Sequence, residues 1–315
     1  MEPNIYIPPH LSWSSVSTYS ECGVKWLLSR GFKVPESTWY ATLAGSAIHK
    51  ITEDADRAEA AGIPSERQLN FAPDFKSAFD AAIKKATEAG KAIKPSGKVL
   101  KSVSVTGGPN KKDYDWWLHF GPIFVQKWMD FKASKGWRIA IMPDGSPGIE
   151  VGFEIELAGV PVVGYIDRVY TMSDGSIIVM DLKTGAVPSG SLQLVTYSAG
   201  LREAYGWEAD WGVFWSPGNS ADNGLLSEPI ELPKWNHERI TQMYAQALTG
   251  IKAGVFLPHV TNLCRGCTVR DHCWAVKGEL SEEIPVHFDV IEHETGEVTS
   301  DRVTCEEEED ESQPG

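Results

Sequence analysis

At residue 149 the apolar pattern shortens its period from about 3.6 residues to two, and this change limits the possible folds more than any other feature. Ile149–Leu157 and Val160–Tyr170 alternate apolar and polar residues on either side of a tight Ala158-Gly159 turn, and Ile177–Lys183 follows a second turn at Ser173-Asp174-Gly175. Alternation bounded by turn residues predicts strands, and two short turns in succession predict a three-stranded antiparallel meander. Ser189–Tyr205 then reads as a helix, Trp211–Trp215 as a strand, Ile230–Leu232 as a further strand and Pro233–Ala253 as a helix. Upstream the period is helical. One helix, capped by Ser14 or Ser15, should run through Tyr19, Cys22, Trp26 and Leu27 to about Gly31. Others should span Ala41–Ala60, Asp74–Ala89 (ended by Gly90) and Asp113–Ser134. The fold class is therefore α/β (α+β), a small sheet flanked by helices. The expected divisions are N-terminal helices at 11–61, a helical insertion at 62–148, a core at 149–255, a cysteine segment at 256–278 and an acidic, disordered tail at 279–315.

A net charge of −14 argues against nucleic acid as a partner until it is located along the chain. Residues 279–315 carry 14 acidic side chains and one basic one, a net of −13, so residues 1–278 stand near −1. The run Cys305-Glu-Glu-Glu-Glu-Asp-Glu311 cannot bury a core. It reads as a solubilising tail, or as a DNA mimic that limits non-specific binding or recruits a basic partner. No apolar run approaches the roughly 18 residues that cross a membrane, and the N-terminus lacks the basic start and apolar stretch of a secretory signal. The chain reads as cytoplasmic. In that compartment the five cysteines are more readily metal ligands than disulfides.

Asp181 and Lys183 are two apart on a strand and share a face. Asp167, on the preceding strand, is folded back beside them by the turn at 173–175. Two carboxylates converging from neighbouring strands make an oxygen-rich site for Mg²⁺ or Mn²⁺. Such an ion polarises a phosphoryl oxygen and lowers the pKa of a water, and Lys183 can hold that water or neutralise charge growing on phosphorus.

An Asp-x-Lys alone is nearly uninformative; its surroundings are not. Gly45-Ser-Ala-Ile-His49, Gly164-Tyr-Ile-Asp-Arg168, Met180-Asp-Leu-Lys-Thr-Gly185 and Gln193-Leu-Val-Thr-Tyr197, in that order, closely resemble the PD-(D/E)xK nucleases, in particular their RecB/Cas4-like branch. The resemblance covers about residues 11–60 and 149–275. It implies a restriction-endonuclease-like core in which Asp167 and Asp181 bind the metal, the backbone carbonyl of Leu182 adds an oxygen, and Lys183 is the catalytic lysine. His49 would add a nitrogen ligand, which favours Mn²⁺ over Mg²⁺. Gln193 and Tyr197 would lie beside the active site, contacting DNA or the lysine. The family often carries a further acid on the first strand; Glu154 is chosen for it, with Glu150 and Glu156 on the same strand face. The implied activity is that of a DNA exonuclease acting on single strands or ends in recombination, repair or CRISPR-type processing, with a recombination or CRISPR adaptation protein as a partner. If phage-encoded, the protein would work in the host cytoplasm. A non-catalytic DNA-binding or assembly protein and a zinc-stapled interaction protein are the rival readings.

Cys264, Cys267 and Cys273 form C-x2-C-x5-C, three soft ligands for Zn²⁺ or an iron–sulfur cluster. The same resemblance adds Cys22 as fourth ligand and implies a [4Fe–4S] cluster stapling the first helix to the last. Zn²⁺ is the alternative, with His259 and His272 available. Trp116, Trp117 and Trp128 form either a stacking platform for single-stranded bases or the core of a helical subdomain. Lys94, Lys98, Lys101, Lys111 and Lys112 are candidates for phosphate contact. No Gly-rich Gly-Lys-Ser/Thr phosphate loop occurs, so the chain carries no helicase motor of that kind.

Overall fold

The structure is a computed structural model that describes residues 4–63, 71–97, 111–185, 187–218 and 223–291. In chain order the elements are β1 (Asn4–Tyr6), α1 (Trp13–Glu21), α2 (Gly23–Trp26), a π-helical turn (Leu27–Gly31), β2 (Thr38–Trp39), α3 (Tyr40–Ala60), α4 (Phe71–Glu88), β3 (Ile93–Lys94) and α5 (Tyr114–Lys135). There follow β4 (Arg138–Ile139), β5 (Ile149–Leu157), β6 (Val160–Thr171), β7 (Ile177–Leu182), α6 (Leu192–Tyr205), β8 (Trp211–Ser216), β9 (Leu225–Leu226), β10 (Ile230–Glu231), α7 (His237–Lys252) and β11 (Asp289–Ile291).

The meander forms as its period predicts. Leu157 faces Val160 across the Ala158-Gly159 turn, and Arg168 faces Met180 between β6 and β7. β8 then pairs with β7 in parallel, Asp181 opposite Phe214. A parallel pair needs a crossover, which α6 supplies. The main sheet runs β10-β8-β7-β6-β4, with β5 sharing the β4 edge of β6. This mixed sheet between helices is consistent with a restriction-endonuclease-like fold.

One face of the sheet, through Val151, Phe153, Val162, Val179 and Phe214, packs on Leu194, Val195 and Leu201 of α6 and on Ile240, Tyr244 and Ile251 of α7. The other, through Tyr170, Ile178, Met180, Leu182, Val213 and Trp215, packs on Trp128 and Phe131 near the end of α5. The earlier part of α5 packs instead on α3 and α4 around Phe75, Phe79, Trp116, Trp117 and Phe124. So α5 joins the helical unit to the sheet, and its tryptophans are core: Trp116, Trp117 and Trp128 are all buried. The stacking-platform alternative is excluded for these three rings.

The first helix differs from expectation. Its cap is Ser12, whose hydroxyl accepts from Ser15 N at 3.3 Å, and not Ser14 or Ser15. The helix does not run through Cys22, which is extended at φ −165° and ψ 109°. A Cβ on Gly23 would come within 2.8 Å of Leu257 N. The chain turns there to lie against the Phe256-Leu257 backbone, a contact with residues more than 200 positions away that local periodicity cannot register. The segment after residue 279 also begins as ordered chain: Ser281–Glu283 forms a 3-10 turn and β11 pairs in parallel with β1, Ile5 opposite Val290. Lys98, Lys101, the 107–110 loop and residues 292–315 with Cys305 lie outside the described residues. Among the described residues no helix is long and apolar enough to cross a membrane.

Because Trp117 is 1% exposed, Trp117→Ala should lower unfolding stability by about 3–5 kcal/mol, measured as a shift in the urea midpoint. An unshifted midpoint would contradict its place in the core.

Candidate active site

The site lies where β6 and β7 part company. Their ladder ends at Arg168 opposite Met180. One residue further on, the Asp167 carboxylate takes over the missing bond, Oδ2 accepting from Leu182 N at 2.6 Å. Side-chain alternation also breaks here. Ile166 belongs to the core under α6 and α7, whereas Tyr170, four residues on and of the same parity, faces α5. On β5, Glu150 lies between the pairs Ile149–Arg168 and Val151–Ile166 and adopts a left-handed φ of 48°. For a non-glycine residue this conformation costs about 1–3 kcal/mol. The hairpin register sets Glu150 opposite Asp167.

α3 completes the cleft. His49, Thr52 and Asp56, at i, i+3 and i+7, share a helix face. His49 Nε2 lies 3.1 Å from Leu182 O, and its Nδ1 lies 3.7 Å from Asp167 Oδ2. Gly45, one turn before His49, faces Thr184; a Cβ there would stand 2.6 Å from the Thr184 hydroxyl. A small residue is needed for α3 to approach the strand this closely. The cleft, of about 670 Å³, is lined by Gly45, His49, Lys50, Glu150, Lys183 and Thr184 among others.

Two groups of side chains meet here. His49, Glu150 and Asp167 each offer a ligand atom within 4.8 Å of the others, a set of one nitrogen and two carboxylates that fits a divalent cation. Asp181 anchors the second group. Its Oδ1 accepts from Gln193 Nε2 at 2.6 Å and from the Tyr197 hydroxyl at 3.1 Å, while its Oδ2 pairs with Lys183 Nζ at 2.6 Å. Gln193 Nε2 lies 2.8 Å from the Tyr197 hydroxyl, as their shared helix face predicts. The Leu182 backbone, flanked in the chain by Asp181 and Lys183, joins them to the first group, its N–H on Asp167 and its carbonyl beside His49.

The electrostatics fit a site shaped for positive charge. Burial and then the Asp167 charge push Asp181 up to about 6, against the pull of Lys183. Burial and Asp167 push Glu150 up to about 7, and burial also raises Asp167. Burial lowers the His49 imidazole, leaving a neutral ring with a lone pair to offer.

Glu154 is corrected. It is exposed on β5, while Glu150 is the β5 acid at the site. Alternation alone puts both on one face and cannot locate the left-handed residue. Sequence reasoning also passed over Arg168, fully buried and paired with Asp56. An arginine inside the apolar run Ile166–Tyr170, and an aspartate seven residues after His49, were the available signals.

A second cluster gathers just beyond the C-terminal end of α1. Cys22, Cys267 and Cys273 pack against Val24, Leu28, Phe32 and Val269. Backbone N–H groups approach two sulfurs, His259 N to Cys22 Sγ and Thr261 N to Cys264 Sγ, both at 3.4 Å. Burial raises the Cys267 and Cys273 thiols, and Cys22 acts on both of them. Among the described residues the compact ligand group is the first site. Four soft donors, apolar backing and N–H groups on sulfur nonetheless form a donor set suited to a thiolate-held metal. His272 is buried with Nδ1 unpartnered, and His259 Nδ1 lies 3.0 Å from Glu21 O. Lys94, Lys111 and Lys112 fall outside the cleft lining; Lys112 sits over the Trp116 ring at 4.7 Å.

The model of the PD-(D/E)XK nuclease superfamily matches residues 10–274. The chain is 29% identical over 283 residues to the Gene 69 protein of Mycobacterium phage D29, and 27% identical over 304 residues to that of Mycobacterium phage L5. Each match covers 84% of this chain and 96% of the relative. The crystal structure of SSO0001 aligns over 76% of this chain and 87% of its own, at 14% identity and a TM-score of 0.31. The family match spans the cleft and both residue clusters: the chain belongs to the PD-(D/E)XK nuclease superfamily.

Divalent cations bind the ionised carboxylates, and Asp181 and Glu150 ionise near about 6 and about 7. Mn²⁺ affinity should therefore climb as pH rises through both values and level off above them, with protons released on binding. Calorimetry in buffers of differing ionisation enthalpy checks this; affinity unchanged between about pH 5.5 and 8 would refute it.

Proposed function

We propose that this superfamily member is a Mg²⁺- or Mn²⁺-dependent DNA exonuclease of the RecB/Cas4-like kind, acting on single strands or DNA ends. The observation that carries the reading is the meeting of His49, Glu150 and Asp167 with the Asp181–Lys183 pair at the parting of β6 and β7. His49, Glu150, Asp167, Asp181 and the Leu182 carbonyl would hold the ion. When bound, it supplies Lewis-acid polarisation of the phosphoryl group and a lowered pKa for water.

The remaining work falls to the chain. Lys183, 2.6 Å from Asp181 and 26% exposed, can reach the cleft and neutralise charge that grows on phosphorus. Gln193 and Tyr197 hold the Asp181 carboxylate in one orientation from α6. Ala41, Thr42, Gly45 and Ser46 give the cleft a wall of small side chains, which leave room for a phosphodiester backbone.

The four cysteines would hold a [4Fe–4S] cluster, with Zn²⁺ the alternative that buried His272 keeps open. Its role is structural, closing α1 onto the C-terminal turns. The activity would serve recombination, repair or CRISPR-type processing beside a recombination or adaptation protein, and the phage relatives support a host cytoplasm as its setting. A non-catalytic DNA-binding or assembly role is disfavoured, because every acid, lysine and histidine that the chemistry requires is present.

Anaerobically purified wild type should degrade end-labelled single-stranded DNA with Mn²⁺, whereas Lys183→Ala and Asp181→Ala should lose at least about a hundredfold in rate while staying folded. Wild-type protein that leaves the DNA intact, or a fully active Lys183→Ala, overturns the assignment. The same preparation should be brown, with a broad band near roughly 400 nm from cluster chemistry; a colourless protein containing zinc would select the alternative.

A further inference from the structure

Arg168 follows Asp167 on β6, and its fully buried side chain lies between Asp56 of α3 and the Trp128 ring of α5. A guanidinium there is unfavourable unless its donors are engaged, and these are engaged in a definite pattern. Nε pairs with Asp56 Oδ2 at 2.5 Å. Nη1 donates to Asp167 O at 2.6 Å and pairs with Glu150 Oε1 at 3.3 Å, while Nη2 reaches the Thr52 hydroxyl at 3.5 Å. The group stacks 5.7 Å from the Trp128 ring, and Trp128 Nε1 itself donates to Asp56 at 3.3 Å. Lys132 pairs with the same aspartate.

Its hydrogen-bond partners belong to three elements, and each of these carries one member of the candidate metal set. Asp56 and Thr52 lie on the helix and face that present His49. Glu150 is itself a member from β5, and the Asp167 carbonyl belongs to the residue that supplies the third. We propose that Arg168 is the positioning residue of the metal centre, a buried planar fork that fixes the spacing of α3, β5 and β6 and aims Glu150 into the cleft. This rests on the metal-site reading above. It differs from a purely stabilising ion pair, which apolar residues of similar size can replace. Lysine cannot take its place, because an ammonium is a point charge without the fork that reaches Asp56 and Glu150 together.

The test is Mn²⁺ titration calorimetry on the full chain, with thermal unfolding of the ion-free protein as the control. Arg168→Lys should bind Mn²⁺ about ten- to a hundredfold more weakly, the range for groups that orient metal ligands. Glu150→Gln should also bind weakly, and adding Arg168→Lys to it should cost little more, because both changes act through one carboxylate. The doubly apolar variant Arg168→Met/Asp56→Leu removes the buried ion pair and keeps the α3–sheet packing, with Lys132 still paired to Glu59. It should unfold near the wild-type temperature yet bind Mn²⁺ as weakly as Arg168→Lys. Wild-type affinity in either Arg168 variant, or fully additive losses in the Glu150 combination, overturns the proposal while leaving the metal site standing. Wild-type protein that binds no Mn²⁺ removes the metal site and the role of Arg168 together.

Discussion

The bond from Leu182 N–H to the Asp167 carboxylate is where a sheet becomes a site. Up to Arg168 and Met180 the two strands satisfy each other's backbone in the ordinary way. Beyond that pair a carboxylate replaces a carbonyl as acceptor, so the strands can separate without leaving a buried donor unpaired. The gap opens the cleft, sets Asp167 edgewise toward β7 and frees the Leu182 carbonyl to meet His49. A buried carboxylate is stable in this position only because N–H donors and nearby cationic groups offset its lost hydration.

The charge arrangement is layered through the sheet. On the α6 side lies Asp181, whose ionisation is suppressed by burial and by Asp167. On the α5 side lie Arg168, Asp56 and Lys132, a paired and enclosed group. The backbone between them transmits position, since Arg168 holds the carbonyl of the residue whose side chain faces the opposite cluster. Protein interiors yield little to such constraints, so a rigid pair behind the sheet is an effective means of fixing ligands in front of it.

Much of this was legible in the sequence wherever local pattern decides the outcome. The turns at 158–159 and 173–175, the alternation of β5 to β7, and the single helix face shared by Gln193 and Tyr197 are short-range facts, and each took the form its period implied. The gathering of His49 with Asp167 depended on recognised motifs more than on physics, since nothing local tells a helical histidine what it will face. What failed was non-local. The break at Cys22 is imposed by the Phe256-Leu257 backbone. The choice of Glu150 over Glu154 follows from the cross-strand register, which sets Glu150 opposite Asp167 and Glu154 opposite Val163, and the Arg168–Asp56 pair spans 112 positions. Strands as short as β2, β3 and β9 exist only through their partners and have no period to read.

The pairing of β1 with β11 has a consequence for how the molecule is assembled. A ribosome delivers Asn4–Tyr6 nearly 300 residues before their hydrogen-bond partners, Asp289–Ile291. At about 5–20 residues per second, that interval lasts at least several seconds. Through that time the meander, α6 and β8, whose contacts are closer in sequence, can already be in place. The opening strand is thus the last to be paired, a latch closed after the machinery behind it has formed.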